Sequence, residues 1–145
     1  MEIFSVGFTQ KSAREFFGTL KANRIERLLD VRLNNTSQLA GFAKQSDLRY
    51  FLNEICGITY EHEPLLAPTQ DILDAFKRKK GDWNVYTEAY LGLIRDRKVE
   101  SCLSKESFEK RTVLLCSEAT AECCHRRLAL EYLHSHWGGF NIVHL

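Results

Sequence analysis

The sequence predicts a single α/β domain with a mainly parallel sheet and helices on both faces. Short apolar runs of strand length alternate with stretches whose apolar residues recur at helical spacing. Several of those runs are apolar throughout and end in charge, as in Leu28-Leu29-Asp30-Val31-Arg32, which is how a parallel strand leaving a covered sheet reads. Right-handed crossovers between such strands put helices on both faces. The 145 residues, 44% hydrophobic and 27% charged, suffice for one core and contain no linker, repeat or low-complexity tract, so residues 1–145 read as one domain.

In chain order, Ile3 to Phe8 is the first strand. Ser12 and Glu15 have capping-box spacing, and Ala13, Phe16, Phe17 and Leu20 form the apolar stripe of the helix that follows. Arg27 to Leu33 is the second strand. Leu48, Phe51, Leu52 and Ile55 mark a helix with Ser46 or Asp47 as its cap and Gly57 just past its end. Ile58 to His62 is a short third strand. Thr69 to Lys79 and Asp82 to Arg97 read as two helices separated by Gly81, the second with Trp83, Tyr86, Tyr90, Leu93 and Ile94 on one side. Lys98 to Lys110 is ambiguous, helical around Val99 to Leu103. Thr112 to Cys116 is the strongest strand signal. Cys123 to His136 is the last helix, with Leu128, Tyr132 and Leu133 inward, and Phe140 to His144 is a closing strand.

Lys and Arg number 20 against 19 Asp and Glu, so no overall field draws the chain to nucleic acid or an anionic membrane, and any anion site must be local. No window approaches the roughly 20 apolar residues of a membrane span, and Met1 leads into Ile3-Phe4-Ser5-Val6 without a basic region, so a cytoplasmic protein is expected. The five cysteines are read as reduced thiols. Neither G-x-G-x-x-G nor G-x-x-x-x-G-K-[ST] occurs, so no dinucleotide or P-loop cofactor is expected.

Ligands of open parallel sheets bind beyond the strand carboxyl ends. Thr9, Gln10 and Ser12 follow the first strand. Asp30, Arg32 and the polar run Asn34 to Gln38 belong to the second, and Cys116, Ser117, Glu118 and Thr120 to the fourth. The densest group is Cys116-Ser117-Glu118 through Cys123-Cys124-His125-Arg126-Arg127, and three chemistries fit it. A thiolate nucleophile gains from a helix N-terminus and an arginine. A metal site draws on Cys116, Cys123 or Cys124, and His125. An anion site uses the helix end with Arg126 or Arg127. Adjacent cysteines on a helix diverge by about 100° and leave zinc a ligand short, so no metal is expected. Glu122 stands where the loops of tyrosine phosphatases carry an arginine, which disfavours that class. The Lys77-Arg78-Lys79-Lys80 run reads as a solvated helix end.

Ser5-Val6-Gly7-Phe8-Thr9, Leu29-Asp30-Val31-Arg32, Gly57-Ile58-Thr59-Tyr60, Cys116-Ser117-Glu118 and Cys124-His125-Arg126 together resemble the domain-of-unknown-function family DUF488 over essentially the whole chain. Many members carry a histidine where this chain has Phe8, so no role of that histidine transfers. The run Leu33 to Phe42 is similar to a subfamily with the same departure. The resemblance marks Asp30, Arg32, Cys116, Glu118, Cys124, His125 and Arg126, leaves Cys123 and Arg127 outside, and implies no settled activity.

The resulting expectation is an enzyme-like site in which Cys116, Glu118 and His125 are the reactive candidates. Thr9, Asp30, Arg32, Asn34, Cys124 and Arg126 would bind a phosphorylated or otherwise anionic substrate such as a nucleotide or nucleic acid. Asp30 is expected to hold Arg32 or His125, and Glu118 to act as a base or to turn toward His125 or an arginine. The alternative is a non-catalytic nucleic-acid or protein binding domain whose cysteines are packing.

Overall fold

The computed structural model describes residues 1–36 and 41–145. Five strands, β1 (Glu2–Gly7), β2 (Arg27–Asp30), β3 (Thr59–His62), β4 (Thr112–Cys116) and β5 (Asn141–His144), form one all-parallel sheet in the order β3-β2-β4-β1-β5. The α/β architecture is the expected one. Helices α1 (Ala13–Ala22) and α2 (Gln45–Phe51) cover one face, where Phe16, Phe17, Leu20, Leu48 and Leu52 pack on Phe4, Val6, Leu28, Val113 and Leu115. The other face is covered by α4 (Trp83–Asp96) and α6 (His125–Trp137), whose Tyr86, Tyr90, Ile94, Leu128, Ala129 and Leu133 pack on Ile3, Leu29, Val31 and Leu114. Alternate residues of each strand serve opposite cores, which is why the strands are apolar throughout. Two shorter helices complete the set, α3 (Gln70–Lys77) against α4 and α5 (Val99–Cys102) against α6.

Several element ends differ from the sequence expectation for local reasons. Strand β2 stops at Asp30 rather than Leu33: the Asp30 carboxylate accepts the Arg32 amide at 3.2 Å, an Asx-type turn that curls the chain off the sheet. Helix α2 begins at Gln45, with Lys44 at the cap position and no side-chain cap. The carbonyl of Asn35 accepts the Gln45 amide at 2.8 Å instead, a tertiary partner that no local pattern announces. Its continuation over Leu52–Cys56 is π-helical and ends as expected at Gly57, whose φ of 66° is one that residues with a side chain rarely adopt. Ser12 caps α1, accepting the Glu15 amide at 3.1 Å. The last helix starts at His125, two residues later than expected, so Cys124 occupies its cap rather than its first turn.

The chain leaves β2 toward the β3 edge and leaves β4 toward β5, on opposite faces. The carboxyl ends of β2 and β4 therefore flank the topological switch point, where connecting segments part and leave a crevice. The register aligns Asp30 with Leu115 and with His62, and Gly7 with Cys116, so four strand ends open on one edge.

Candidate functional site

A cleft of about 320 Å³ lies over this edge. Its floor is Cys116, Ser117, Cys124 and His125. Arg32 to Asn34 form one wall, α3 with Tyr86 the other, and Glu118, Lys77 and Arg78 stand among the lining residues. The Cys116 thiol is buried yet faces this space. Its pKa is lowered from the ordinary thiol value. The neighbouring Cys124 thiol lowers it most, the Glu118 amide, the Arg126 cation and the Ser117 amide act in the same direction, and together they outweigh the opposing effect of burial. Cys124 shifts the other way, pushed far above the ordinary thiol range by its bond to Cys116 and by burial. The two thiols are thus shifted in opposite directions, with Cys116 the more acidic of the pair.

Arg126 is completely buried. It donates from Nε to Ser5 Oγ at 3.2 Å and from Nη1 to the Glu118 carbonyl at 2.7 Å. Among the described residues no carboxylate reaches it. A buried guanidinium favours a compensating charge, and the field of Arg126 accordingly lowers the Cys116 pKa. Gly7 makes this arrangement possible, because a Cβ there would stand 1.6 Å from the Glu118 carbonyl oxygen and 3.1 Å from Arg126 Nη1. Thr9 fixes the same loop from above, donating to the Ser117 carbonyl through both its amide and its hydroxyl. Arg126 and Thr9 are therefore outside the cleft lining and act on it through the Cys116–Glu118 loop, whereas the sequence reading had both touching the ligand.

His125 shows its Nε2 to the Val31 carbonyl at 2.8 Å, a contact only an N–H can make. Cys116 Sγ lies 3.7 Å from Nδ1 and 4.0 Å from Nε2. The sulfur is thus nearly equidistant from the two ring nitrogens and off the Nδ1 lone-pair axis. Tyr90 packs against the imidazole at 5.4 Å between centroids. The imidazole is thus anchored and packed on the thiol, and is not aimed as a base at its proton. The same geometry tests a metal. The Cys116, Cys124 and His125 donor atoms lie within 4.8 Å of one another, and their types suit a soft ion. Ordinary zinc bond lengths to Nδ1 and Cys116 Sγ, however, would carry that sulfur well away from Nε2. As placed, the three donors do not converge on one point.

Asp30 pairs with Arg32, not with His125. Its carboxylate receives Arg32 Nε and Nη2 at 2.8 Å each and the Tyr60 hydroxyl at 2.6 Å, and Asn35 in turn bonds Tyr60 at 3.3 Å. This buried network fixes the wall that carries Asn34, which is exposed and lines the cleft. Glu118 turns neither to His125 nor to an arginine: its side chain pairs with Lys77, and Arg78 pairs with Asp74 at 3.4 Å. Ser37 and Gln38, in the polar run read as ligand-binding, lie outside the described residues. Lys77, Arg78, Gln70 and Tyr86 were missed as cleft residues. The amphipathic spacing of α3 and α4 shows which face is apolar, but nothing local shows that α3 leans over the end of β4.

No curated protein and no solved structure matches the chain. A family model, that of the domain of unknown function DUF488, matches residues 12–133, a span that leaves out the first strand with Phe8 and Thr9. Within it fall Asp30, Arg32, Cys116, Glu118, Cys124, His125 and Arg126, the residues that build the floor and walls of the cleft or brace them, and the chain belongs to this family.

Proposed function

We propose that this protein is an enzyme using Cys116 as a nucleophile on a phosphorylated or otherwise anionic small substrate, with nucleotides the first class to test. The observation that carries the reading is a buried Cys116 sulfur that faces a cleft, lies beside Cys124 and His125, and sits on a loop braced by the buried Arg126, whose charge no carboxylate among the described residues meets. The thiolate is the attacking form of cysteine and a lowered pKa makes more of it available, and amides at the end of a strand cost no reorganisation when charge moves during reaction. His125 holds the thiol in place and is a positioning residue.

The cleft suits a polar ligand of modest size. Lys77 and Arg78 stand among its lining residues beside the neutral donors Asn34 and Gln70, while Tyr86, Phe76 and Leu73 offer apolar surface. Both cations already face carboxylates, Glu118 and Asp74, which an anionic substrate has to displace. Binding is therefore expected to be salt-sensitive, because these pairs are partly exposed and screened.

The test is the pH profile of iodoacetamide alkylation, read by peptide mapping, followed by a turnover screen over nucleotides and other phosphorylated compounds. Cys116 alkylating with a midpoint well below about 8.5, protection by a substrate, and loss of turnover in Cys116→Ser support the reading. A Cys116 that stays inert up to the ordinary thiol range overturns it in favour of a binding domain with structural cysteines.

A further inference from the structure

Three thiols line this one cleft, Cys116, Cys123 and Cys124, and a single nucleophile leaves the other two without a role. Cys124 is the informative one. Its sulfur lies within 4.8 Å of Cys116, it is buried at the floor of the cleft, and it stands at the cap of α6 with extended backbone (φ −137°, ψ 137°). A disulfide requires the sulfurs to close to about 2.05 Å. Cys124 is at the cap, outside the helical turns, and its carbonyl accepts the Arg127 amide at 3.2 Å. Cys123 is exposed and is not part of the close cluster.

We infer that Cys116 and Cys124 are a redox couple in which a hydroperoxide oxidises Cys116 and Cys124 resolves it to an intramolecular disulfide. This rests on the nucleophile reading above and adds a regulation of the same site. In the first step the Cys116 thiolate attacks the distal oxygen of ROOH. The S–O bond forms, the O–O bond breaks, and the alkoxide leaves and takes a proton from solvent as ROH. The peroxide is reduced by two electrons and the sulfur becomes a sulfenic acid. In the second step the Cys124 sulfur attacks the sulfenic sulfur, the S–S bond forms, the S–O bond breaks, and the hydroxide takes the Cys124 proton as water. The order follows from the charges. The Cys116 sulfur raises the Cys124 pKa, and once it carries a neutral S–OH that effect is gone and Cys124 attacks more readily, beside the geometric proximity of the two sulfurs. The disulfide removes the nucleophile, and a dithiol such as dithiothreitol restores it.

The full chain, reduced and freed of dithiothreitol, is treated with about one equivalent of hydrogen peroxide and mapped without reduction. Expected are loss of two of the five free thiols, a Cys116–Cys124 cross-link, at least tenfold loss of Cys116 alkylation, and recovery with dithiothreitol. Cys124→Ser should stop at a sulfenic acid on Cys116 that dimedone traps. Phenylarsine oxide, which bridges neighbouring thiols, should add once to the parent protein and not to Cys124→Ser, giving a check that needs no oxidation. If Cys116 alkylates readily but oxidises with Cys124 still free, or pairs with Cys123, the couple is wrong and the nucleophile reading stands. If Cys116 resists both iodoacetamide and peroxide, the nucleophile reading fails and the couple with it.

Discussion

Arg126 donates from Nη1 to the carbonyl of Glu118 at 2.7 Å, from a site with no exposure to solvent. The bond joins the second residue of α6 to the loop that cradles Cys116, and it brings a positive charge under that loop. Arg126→Met keeps the bulk, removes the charge, and leaves the Glu118 carbonyl and Ser5 hydroxyl without their donor. Loss of a nearby cation raises a thiol pKa, so alkylation of Cys116 at neutral pH should slow by about tenfold, the equivalent of one pH unit. Unfolding in urea should show a loss of about 1–3 kcal/mol from the unpaired acceptors. Unchanged alkylation would mean that the amides and Cys124 set the thiolate without it.

Gly7 is the second brace of that loop. An alanine Cβ at 1.6 Å from the Glu118 oxygen cannot be accommodated, and the atom it meets is backbone, so the loop itself has to move. Gly7→Ala should cost about 1–3 kcal/mol by overpacking. It should also slow Cys116 alkylation, because the Glu118 and Ser117 amides shift off the sulfur. A stable Gly7→Ala protein with parental alkylation would show that the loop tolerates displacement.

The Asp30–Arg32–Tyr60 network is expected to act on stability first. Asp30 is fully buried and holds the guanidinium on two oxygens, so Asp30→Asn leaves a buried cation without its counter-charge and should destabilise by about 3–5 kcal/mol. Tyr60→Phe removes the hydroxyl that donates to Asp30 and accepts from Asn35, and should cost about 1–3 kcal/mol. Urea titration of both proteins checks the ratio.

Stability should also rise and then fall with pH. Cys116 is depressed, so its contribution is fully present above the ordinary thiol value of about 8.5 and is lost as pH falls through its folded value. Cys124, Tyr60 and Tyr90 are raised, Cys124 chiefly by its bond to Cys116 and the tyrosines chiefly by burial. Their contributions are present below the ordinary thiol and phenol values and are lost as pH climbs past them. Urea midpoints measured from pH 7 to 11 should therefore climb toward about 8.5 and decline beyond it. Cys116→Ser should flatten the climb, and Tyr60→Phe should weaken the decline above about pH 10.

The sequence alone determined the sheet and its helices, because apolar runs of strand length and the stripes at Phe16–Leu20 and Leu128–Leu133 are local patterns that burial then rewards. It also determined that Cys116 ends a central strand on the edge that carries Asp30 and Arg32, since the parallel arrangement sends all strand ends the same way. What each side chain does at that edge was decided only by the tertiary structure. Asp30 and Arg32 are two residues apart and their pairing was legible as one option of two. Arg126 with Glu118, Lys77 with the Glu118 carboxylate, and His125 with Val31 are joined across 8, 41 and 94 positions. Such contacts leave no periodicity to read. They depend on the pairing of β4 beside β2 and on α3 lining the cleft over the end of β4, which follow from packing the two cores rather than from any local run of residues.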